Sequence, residues 1–362
     1  MRLSSLKLNN FRLFETLSLE FSKDLVVITG LNATGKSTIL EGINYLGLTK
    51  SFRDVGDEDL VSIGKSEFSA IGLVESRDCS KKLRVCKNNI GKSVFKNETR
   101  IKKISDYLGE LLVVSFSNFD LIRLSGSPRD RRKIFEPIIC QISNEYVSEC
   151  NYYKKILNER NALLKRLIFE KKDTSLHLLE VVDKQLIEKA KRIIQIRKKF
   201  VDDLNEKMNG IHQKICGCYE DVCVKYLPSV EEDKIENELL KNVDNDIRKG
   251  STSCGPHRDD FGFYIDGKNV ATQGSQGQQR NVLITIKLAF VEMIKKQKEE
   301  EPILLLDDVF SELDKVRQNN LLEAVNNGIQ TIISSATLSE IDENLIKNAL
   351  VITLKKEENG NG

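Results

Sequence analysis

The stretch Leu25-Val26-Val27-Ile28-Thr29-Gly30-Leu31-Asn32-Ala33-Thr34-Gly35-Lys36-Ser37-Thr38 decides how this chain is read. Its unbroken apolar start is the pattern of a strand buried on both faces, as in parallel sheets. After Gly30 the pattern turns helical, through Lys36-Ser37-Thr38-Ile39-Leu40-Glu41-Gly42-Ile43. Gly30 to Ser37 fit G-x-x-x-x-G-K-[ST] in the context that gives the pattern a mechanism, a strand before it and a helix after it. Glycines allow backbone N–H groups to turn inward around phosphates, and the helix N-terminus adds its positive end. The expected cradle is Gly30, Leu31, Asn32, Ala33, Thr34, Gly35, Lys36, Ser37 and Thr38, with ATP as the nucleotide. Lys36 is expected at the β- and γ-phosphates, and Ser37 on Mg²⁺.

Ile303-Leu304-Leu305-Leu306-Asp307-Asp308 reads as the complementary strand. Unbroken aliphatics suit a parallel strand, and a carboxylate at its C-terminal end faces the phosphate crevice. Asp307 is expected to hold Mg²⁺ through its water shell, and Asp308 to orient or deprotonate the attacking water. About thirty residues upstream, Ser275-Gln276-Gly277-Gln278-Gln279-Arg280 combines a hydroxyl, a glycine and a helix start. Ser275, Gly277 and Gln278 thus form a second phosphate cradle. One chain already serves its nucleotide from the Lys36 side, so the second cradle is expected to cap ATP held by another copy. ATP then becomes the glue of a homodimer with two shared sites.

The bounds agree with a soluble protein of two or three lobes: 362 residues, 30% charged, 40% apolar, net charge +2. The N-terminus alternates like a strand and lacks the apolar core of a signal peptide. No apolar run reaches the roughly 18 residues of a membrane span, so a cytoplasmic location is expected. Eight cysteines without a disulfide-framework spacing suggest reduced thiols. His212 with Cys216, Cys218 and Cys223 raises the question of zinc. Only His212 and Cys216 share a helical face, and C-x-C is not a common structural-zinc spacing, so ordinary packed cysteines are the reading adopted.

Strand patterns fill the chain up to Leu111-Leu112-Val113-Val114-Ser115-Phe116, and a helical period follows. Leu179, Val182, Leu186, Ala190, Ile193, Phe200 and Leu204 mark one helical face. Two arms of ~35 residues at 1.5 Å per residue would each reach about 50 Å, a compact lobe and not a coiled-coil rod. Strands return after Gly250, with Asp266-Gly267 as a hairpin signal. The expected architecture is an α/β ATPase head of mixed sheets around the phosphate loop, in two parts, 1–118 and 249–362. A helical lobe, 119–248, is inserted between them.

Further motifs accompany these: Leu8-Asn9-Asn10-Phe11-Arg12, Ser51-Phe52-Arg53, Gly126-Ser127-Pro128 with Arg131-Arg132, and Gly255-Pro256-His257-Arg258-Asp259-Asp260. The run Leu306-Asp307-Asp308-Val309-Phe310-Ser311-Glu312-Leu313-Asp314 completes the set. On these residues the chain resembles, over almost its whole length, the RecF family of bacterial DNA replication and repair proteins. That family is related to the SMC ATPases and to ABC-type nucleotide-binding domains. The resemblance implies an ABC-type head with a signature motif at 275–280. It also implies a D-loop, Ser311-Glu312-Leu313-Asp314, that touches the partner subunit. It implies, further, a cytoplasmic protein that dimerises on ATP, binds DNA, and acts with RecR and RecO to place recombinase at single-strand gaps. ATP hydrolysis then times release. Two departures stand out. The ABC pattern's histidine after the last core strand is replaced by Ser334-Ser335-Ala336-Thr337, from which slow turnover is expected. Phe116-Ser117-Asn118-Phe119-Asp120 leaves the Q-loop role unassigned.

DNA contact needs only positive charge on a reachable surface. Residues 151–200 hold fourteen Lys and Arg against six Asp and Glu, a balance of +8. With Arg129, Arg131, Arg132 and Lys133 they are the candidate contacts. The absence of tryptophan argues against a base-stacking single-strand binder. The rival readings are an ATPase subunit of another complex, such as a transporter, a small-molecule kinase, and an SMC-like tether. The inserted basic lobe does not fit a transporter subunit, and a kinase has no use for the run at 275–280. A tether needs longer heptad arms.

Overall fold

The computed structural model describes residues 1–77, 79–169, 173–310, 313–325 and 328–355. Ser311 and Glu312 of the expected D-loop, and the polar tail after Lys355, lie outside these. The first half of the chain gives β1 (Arg2–Phe11), β2 (Phe14–Glu20), β3 (Leu25–Gly30), α1 (Lys36–Leu48), β4 (Phe68–Glu75), β5 (Ser80–Asn88), β6 (Gly91–Lys96), β7 (Thr99–Ile101), α2 (Ile104–Tyr107), β8 (Val113–Ser117), α3 (Asn118–Ser125), α4 (Pro128–Ile142) and α5 (Asn144–Phe169). The rest gives α6 (Asp173–Cys216), β9 (Val222–Leu227), α7 (Ile235–Lys241), α8 (Val243–Lys249), β10 (Asp260–Ile265), β11 (Lys268–Asn269), α9 (Val270–Gln273), α10 (Gln276–Lys298), β12 (Ile303–Asp307), α11 (Lys315–Val325), β13 (Thr331–Ser335), α12 (Glu343–Asn348) and β14 (Leu350–Leu354).

These elements form two compact units, one of Met1–Ile122, Lys207–Glu220 and Gln276–Gly362, the other of Arg123–Glu206 and Asp221–Ser275. The first holds two sheets. One is an antiparallel meander in the order β2-β1-β4-β5-β6-β7; the other is parallel, in the order β14-β3-β13-β12-β8. Their sequences explain the difference. β4 alternates buried and less buried residues, as a sheet with one covered face requires, whereas every residue of β12 and β13 is buried. Helix α1 packs on β4 and β5 of the meander and on β8, β12 and β13 of the parallel sheet, and is buried from Thr38 through Gly47. Gln330 adds a fixed link, since its side chain accepts from Leu3 N–H at 2.7 Å and donates to the Leu3 carbonyl at 2.9 Å.

The second unit differs from the helical lobe expected over 119–248. It contains a sheet, β11-β10-β9, because β9 pairs antiparallel with β10 from Val222↔Ile265 to Leu227↔Asp260. That pairing brings the residues after 248 into this unit. Helix α6, at 44 residues, is longer than either expected arm. The anticipated face is largely confirmed: Leu179, Leu186, Ala190, Ile193, Phe200 and Leu204 are all buried. Phe135 of α4 stacks on Phe261 of β10, with ring centroids 4.2 Å apart.

Charged groups are also buried here. Arg160, with no exposed surface, donates to Asp183 at 2.6 Å, to Asp246 at 2.7 Å and to Thr252 Oγ1 at 2.9 Å. Arg197 donates to the Pro256 carbonyl at 2.8 Å and to Tyr146 Oη at 3.0 Å, and pairs with Asp259 at 3.3 Å. Asp259 also accepts from Ser229 N–H at 2.8 Å and from the Tyr226 hydroxyl. Asp259 and the Pro256 carbonyl thus place the Gly255–Asp260 motif at the edge of an interior hub in which buried arginines meet buried acids, while Arg258 is exposed.

His257 sits in this hub between Tyr153 Oη, 2.7 Å from Nδ1, and the Thr252 carbonyl, 3.2 Å from Nε2. A carbonyl only accepts, so Nε2 carries the proton and Nδ1 accepts from the tyrosine. Burial pushes the His257 pKa down from 6.5 to about 4. The unfolded chain then binds more protons between those values, so stability is full above pH ~6.5 and is lost as pH falls toward 4. Urea titrations at stepped pH are expected to show this loss, with a slope of up to about one proton, and a shallower slope in His257→Gln.

Candidate nucleotide-binding site

The parallel sheet lines up the C-terminal ends of four strands. Ser334 of β13 lies opposite Ile28 of β3 on one side and Asp307 of β12 on the other, while Leu354 of β14 lies beside Gly30. Gly30 has φ +153°, and a Cβ there would stand 2.5 Å from the Leu354 carbonyl oxygen. Gly35, at φ +100°, would drive a Cβ to within 2.5 Å of the Phe14 ring. Both positions exclude a side chain on sterics alone.

Between these glycines the loop turns tightly, with Thr34 Oγ1 donating to the Leu31 carbonyl at 2.9 Å and Ala33 at φ +66°. Lys36 Nζ lies back across the loop, 2.7 Å from the Gly30 carbonyl and 3.0 Å from that of Leu31. Gly35 offers α1 no side-chain cap, so the first N–H groups of the helix open toward the loop. Leu31, Asn32 and Ala33 are exposed, Lys36 and Ser37 half-buried, and Thr34 and Thr38 buried. A concave backbone, a helix N-terminus and a lysine that can swing off two carbonyls fit a phosphate chain.

Asp307 is buried, and its Oδ1 accepts from Ser334 Oγ at 2.7 Å. Ser334 Oγ in turn accepts from Asp308 N–H at 2.9 Å. Its one hydroxyl proton is thus committed to Asp307, and the residue standing where a histidine was expected positions the strand-end carboxylate. Asp308 is exposed, in the left-handed region at φ +56°. Ser275, Gln276 and Gly277 are exposed at the start of α10, with Gln278 half-buried in its first turn.

Three features carry more than their sequence signals indicated. Glu41 of α1 has no exposed surface and takes Arg12 as a bidentate partner, at 2.5 and 2.8 Å. It also accepts from Ser51 Oγ and lies 3.5 Å from Arg53 Nε. The motifs around Arg12 and Ser51 thus converge on one carboxylate behind the phosphate loop. Asp120, from the stretch left without a role, is buried and accepts from Ser117 N–H at 3.1 Å and from Lys287 of α10 at 3.0 Å.

The third concerns Arg131 and Arg132, expected as DNA contacts: Arg131 is half-buried and Arg132 buried, and both are engaged within their own unit. Arg131 forms a bidentate pair with Asp260 at 2.7 and 2.6 Å, and Arg132 is buried, donating to the Asp259 carbonyl at 2.5 Å. The aspartates they serve lie about 130 residues away, out of reach of a local charge count. Lys133 pairs with Asp130 at 3.1 Å, and Arg129 is exposed. Of the 151–200 cations, Arg160 and Arg197 are interior, whereas Lys154, Lys155, Lys165, Arg166, Lys184 and Lys199 are exposed.

Comparison with known proteins agrees with this geometry. The "DNA replication and repair protein RecF" of Exiguobacterium sp. is 38% identical over 99% of this chain and 98% of its own length. The chain belongs to the RecF family. The RecF of Lactococcus lactis subsp. lactis is 39% identical over 96% of both chains. Residues 5–249 also match the AAA domain family. A solved structure of RecF with ATP, described as the recombination mediator of the RecFOR pathway, superposes with TM-score 0.87 at 34% identity, covering 94% of this chain and 93% of that one. The Smc head domain of Pyrococcus furiosus superposes at TM-score 0.51 with 16% identity, a likeness of fold. The head architecture expected of a RecF-family ATPase is therefore the one found, with its lobe differently bounded.

Glu41→Gln removes the charge that Arg12 and Arg53 share. Roughly 2–3 kcal/mol of stability is expected to go with it, read as a lower urea midpoint, whereas Arg129→Gln leaves the midpoint unchanged.

Proposed function

We propose that this chain is an ATP-switched DNA-repair protein whose two copies close on shared nucleotides. Gly30 to Thr38 bind the phosphates, with Lys36 leaving the Gly30 and Leu31 carbonyls to meet them. Ser37 and Asp307 hold Mg²⁺. Asp308 orients the attacking water, and Ser334 positions Asp307. Bound ATP·Mg²⁺ supplies the negative charge that gathers these donors and the hydrolysable bond that times their release. Ser275, Gly277 and Gln278 cap the nucleotide of the second copy.

The observation that carries this reading is the pairing of a phosphate loop after β3 and a strand-end carboxylate on β12, the two strands that flank β13, with an exposed glycine-containing helix start at 275–278. Membership of a family named for DNA replication and repair supports the cellular role. The RecFOR description of the related ATP-bound structure supports RecR and RecO as partners. DNA is held without sequence preference, and the exposed cations Arg129, Lys154, Lys155, Lys165, Arg166, Lys184 and Lys199 are its candidate contacts. Such a protein is expected in the cytoplasm; among the described residues no helix is long and apolar enough to cross a membrane.

Mass in solution, with and without ATP, separates the roles. Lys36→Ala is expected to lose ATP binding and, with it, dimers. Ser275→Arg keeps monomer ATP binding but not pairing, because bulk and charge enter the shared site; an ATP-dependent dimer of Ser275→Arg would defeat the cross-subunit reading. Asp308→Asn gives long-lived ATP-bound dimers, and hydrolysis at the parent rate would remove Asp308 from the chemistry. Affinity for mixed-sequence gapped duplex falls at least about tenfold between 50 and 200 mM salt if several phosphates are contacted.

A further inference from the structure

The end of α6 carries a constellation that nucleotide chemistry does not use. Gly217, at φ +67°, ends the helix after Cys216 and turns the chain back. The turn brings Cys218 and Glu220 over His212, so that one ligand atom from each of the three lies within 4.8 Å of the others. His212 itself has no exposed surface.

The protons around His212 are set by geometry. Thr285 Oγ1, on α10, lies 2.9 Å from the Asn281 carbonyl and 2.9 Å from His212 Nδ1. The carbonyl is an acceptor only, so both contacts are hydrogen bonds only if the hydroxyl donates to Asn281 and accepts from Nδ1–H. Cys216 Sγ lies 3.9 Å from the same nitrogen and is an additional weak acceptor. With its proton on Nδ1, the imidazole directs the Nε2 lone pair at Glu220 Oε2, 2.9 Å away. Two acceptors approach that closely only with a proton between them, carried by the imidazole or by the carboxyl, or with a metal ion beside them.

We infer that His212 Nε2, Cys218 Sγ and the Glu220 carboxylate form a binding site for a borderline-soft divalent cation of the zinc class. The donor set of imidazole, thiolate and carboxylate suits such an ion and not magnesium. Bonds of ~2.0–2.3 Å at tetrahedral angles separate ligand atoms by roughly 3.4–3.6 Å, which the three groups reach by small shifts. Cys218 and Glu220 lie on the solvent side, leaving a fourth position for water. Binding exchanges the Cys218 thiol proton, released to solvent, for the metal–sulfur bond. Thr285 holds the ring by the proton it accepts, the usual outer-shell support of a metal-bound histidine. The sequence pattern set zinc aside on the helical face shared only by His212 and Cys216 and on the C-x-C spacing. Glu220 stood outside that count, and Thr285 lies 73 residues from His212.

The site links the end of α6 to α10, the helix that begins at Gln276. Asn320 of α11 donates to the Ile215 carbonyl at 3.1 Å, one residue before Cys216. Metal occupancy therefore stiffens the junction of three helices.

Zinc retention by the full-length reduced chain after dialysis, together with cobalt(II) substitution, tests the inference without reading nucleotide binding. About one zinc per chain is expected, and cobalt is expected to give a thiolate charge-transfer band that is lost in Cys218→Ser and kept in Cys216→Ser. Cys218 is exposed, so its replacement leaves the core intact. Thr285→Val is expected to weaken zinc about 10–100-fold. A reduced chain that retains no zinc, or a cobalt band that survives Cys218→Ser, overturns the site. So does a His212 ring shown by NMR to be an imidazolium paired with Glu220 in zinc-containing buffer.

Discussion

Glu41 is a carboxylate without exposed surface in the helix that follows the phosphate loop, and much of the first unit is arranged around keeping it there. An unpaired charge at such a depth is untenable. Arg12 reaches it from the turn between β1 and β2, and Ser51 and Arg53 from the segment after α1. The carboxylate thereby fixes the meander to α1, and α1 in turn fixes the loop whose glycines press against Leu354 and Phe14. The loop owes its shape to contacts on both sides of the helix behind it.

The second unit uses the same device with opposite polarity. Arginines 160 and 197 are the buried ions there, and acids from distant segments surround them. The Gly255–Asp260 run, which looks like a functional signature, supplies Asp259, His257 and the Pro256 carbonyl to that interior. Arg258 of the same run is exposed.

What could be read from the residues divides along these lines. Patterns that are local and chemically narrow were legible: the apolar runs of β3 and β12, the glycine spacing of the phosphate loop, the buried face of α6. Facts that depend on pairing between remote segments were not. The β9–β10 ladder joins residues some forty apart and moves a domain boundary, and Arg131 and Arg132 look exposed until Asp259 and Asp260 are beside them. The serine at 334 illustrates the intermediate case. Its replacement of an expected histidine was visible, but its attachment to Asp307 and to the Asp308 backbone depends on strand register.

The order of the parallel sheet has a consequence for biosynthesis. Strand β3 lies between β14 and β13, which follow it by about 300 residues, and neither flank of β3 pairs with anything made earlier. On the ribosome, therefore, the sequence Leu25-Val26-Val27-Ile28 emerges as an apolar strand with two open edges and waits for most of the chain to be made. Pairings of such long range are slow and expose sticky surface meanwhile. The interrupted order of the head leaves Gly30, at the start of the phosphate loop, without the strands that flank it until residues 331–354 have left the exit tunnel.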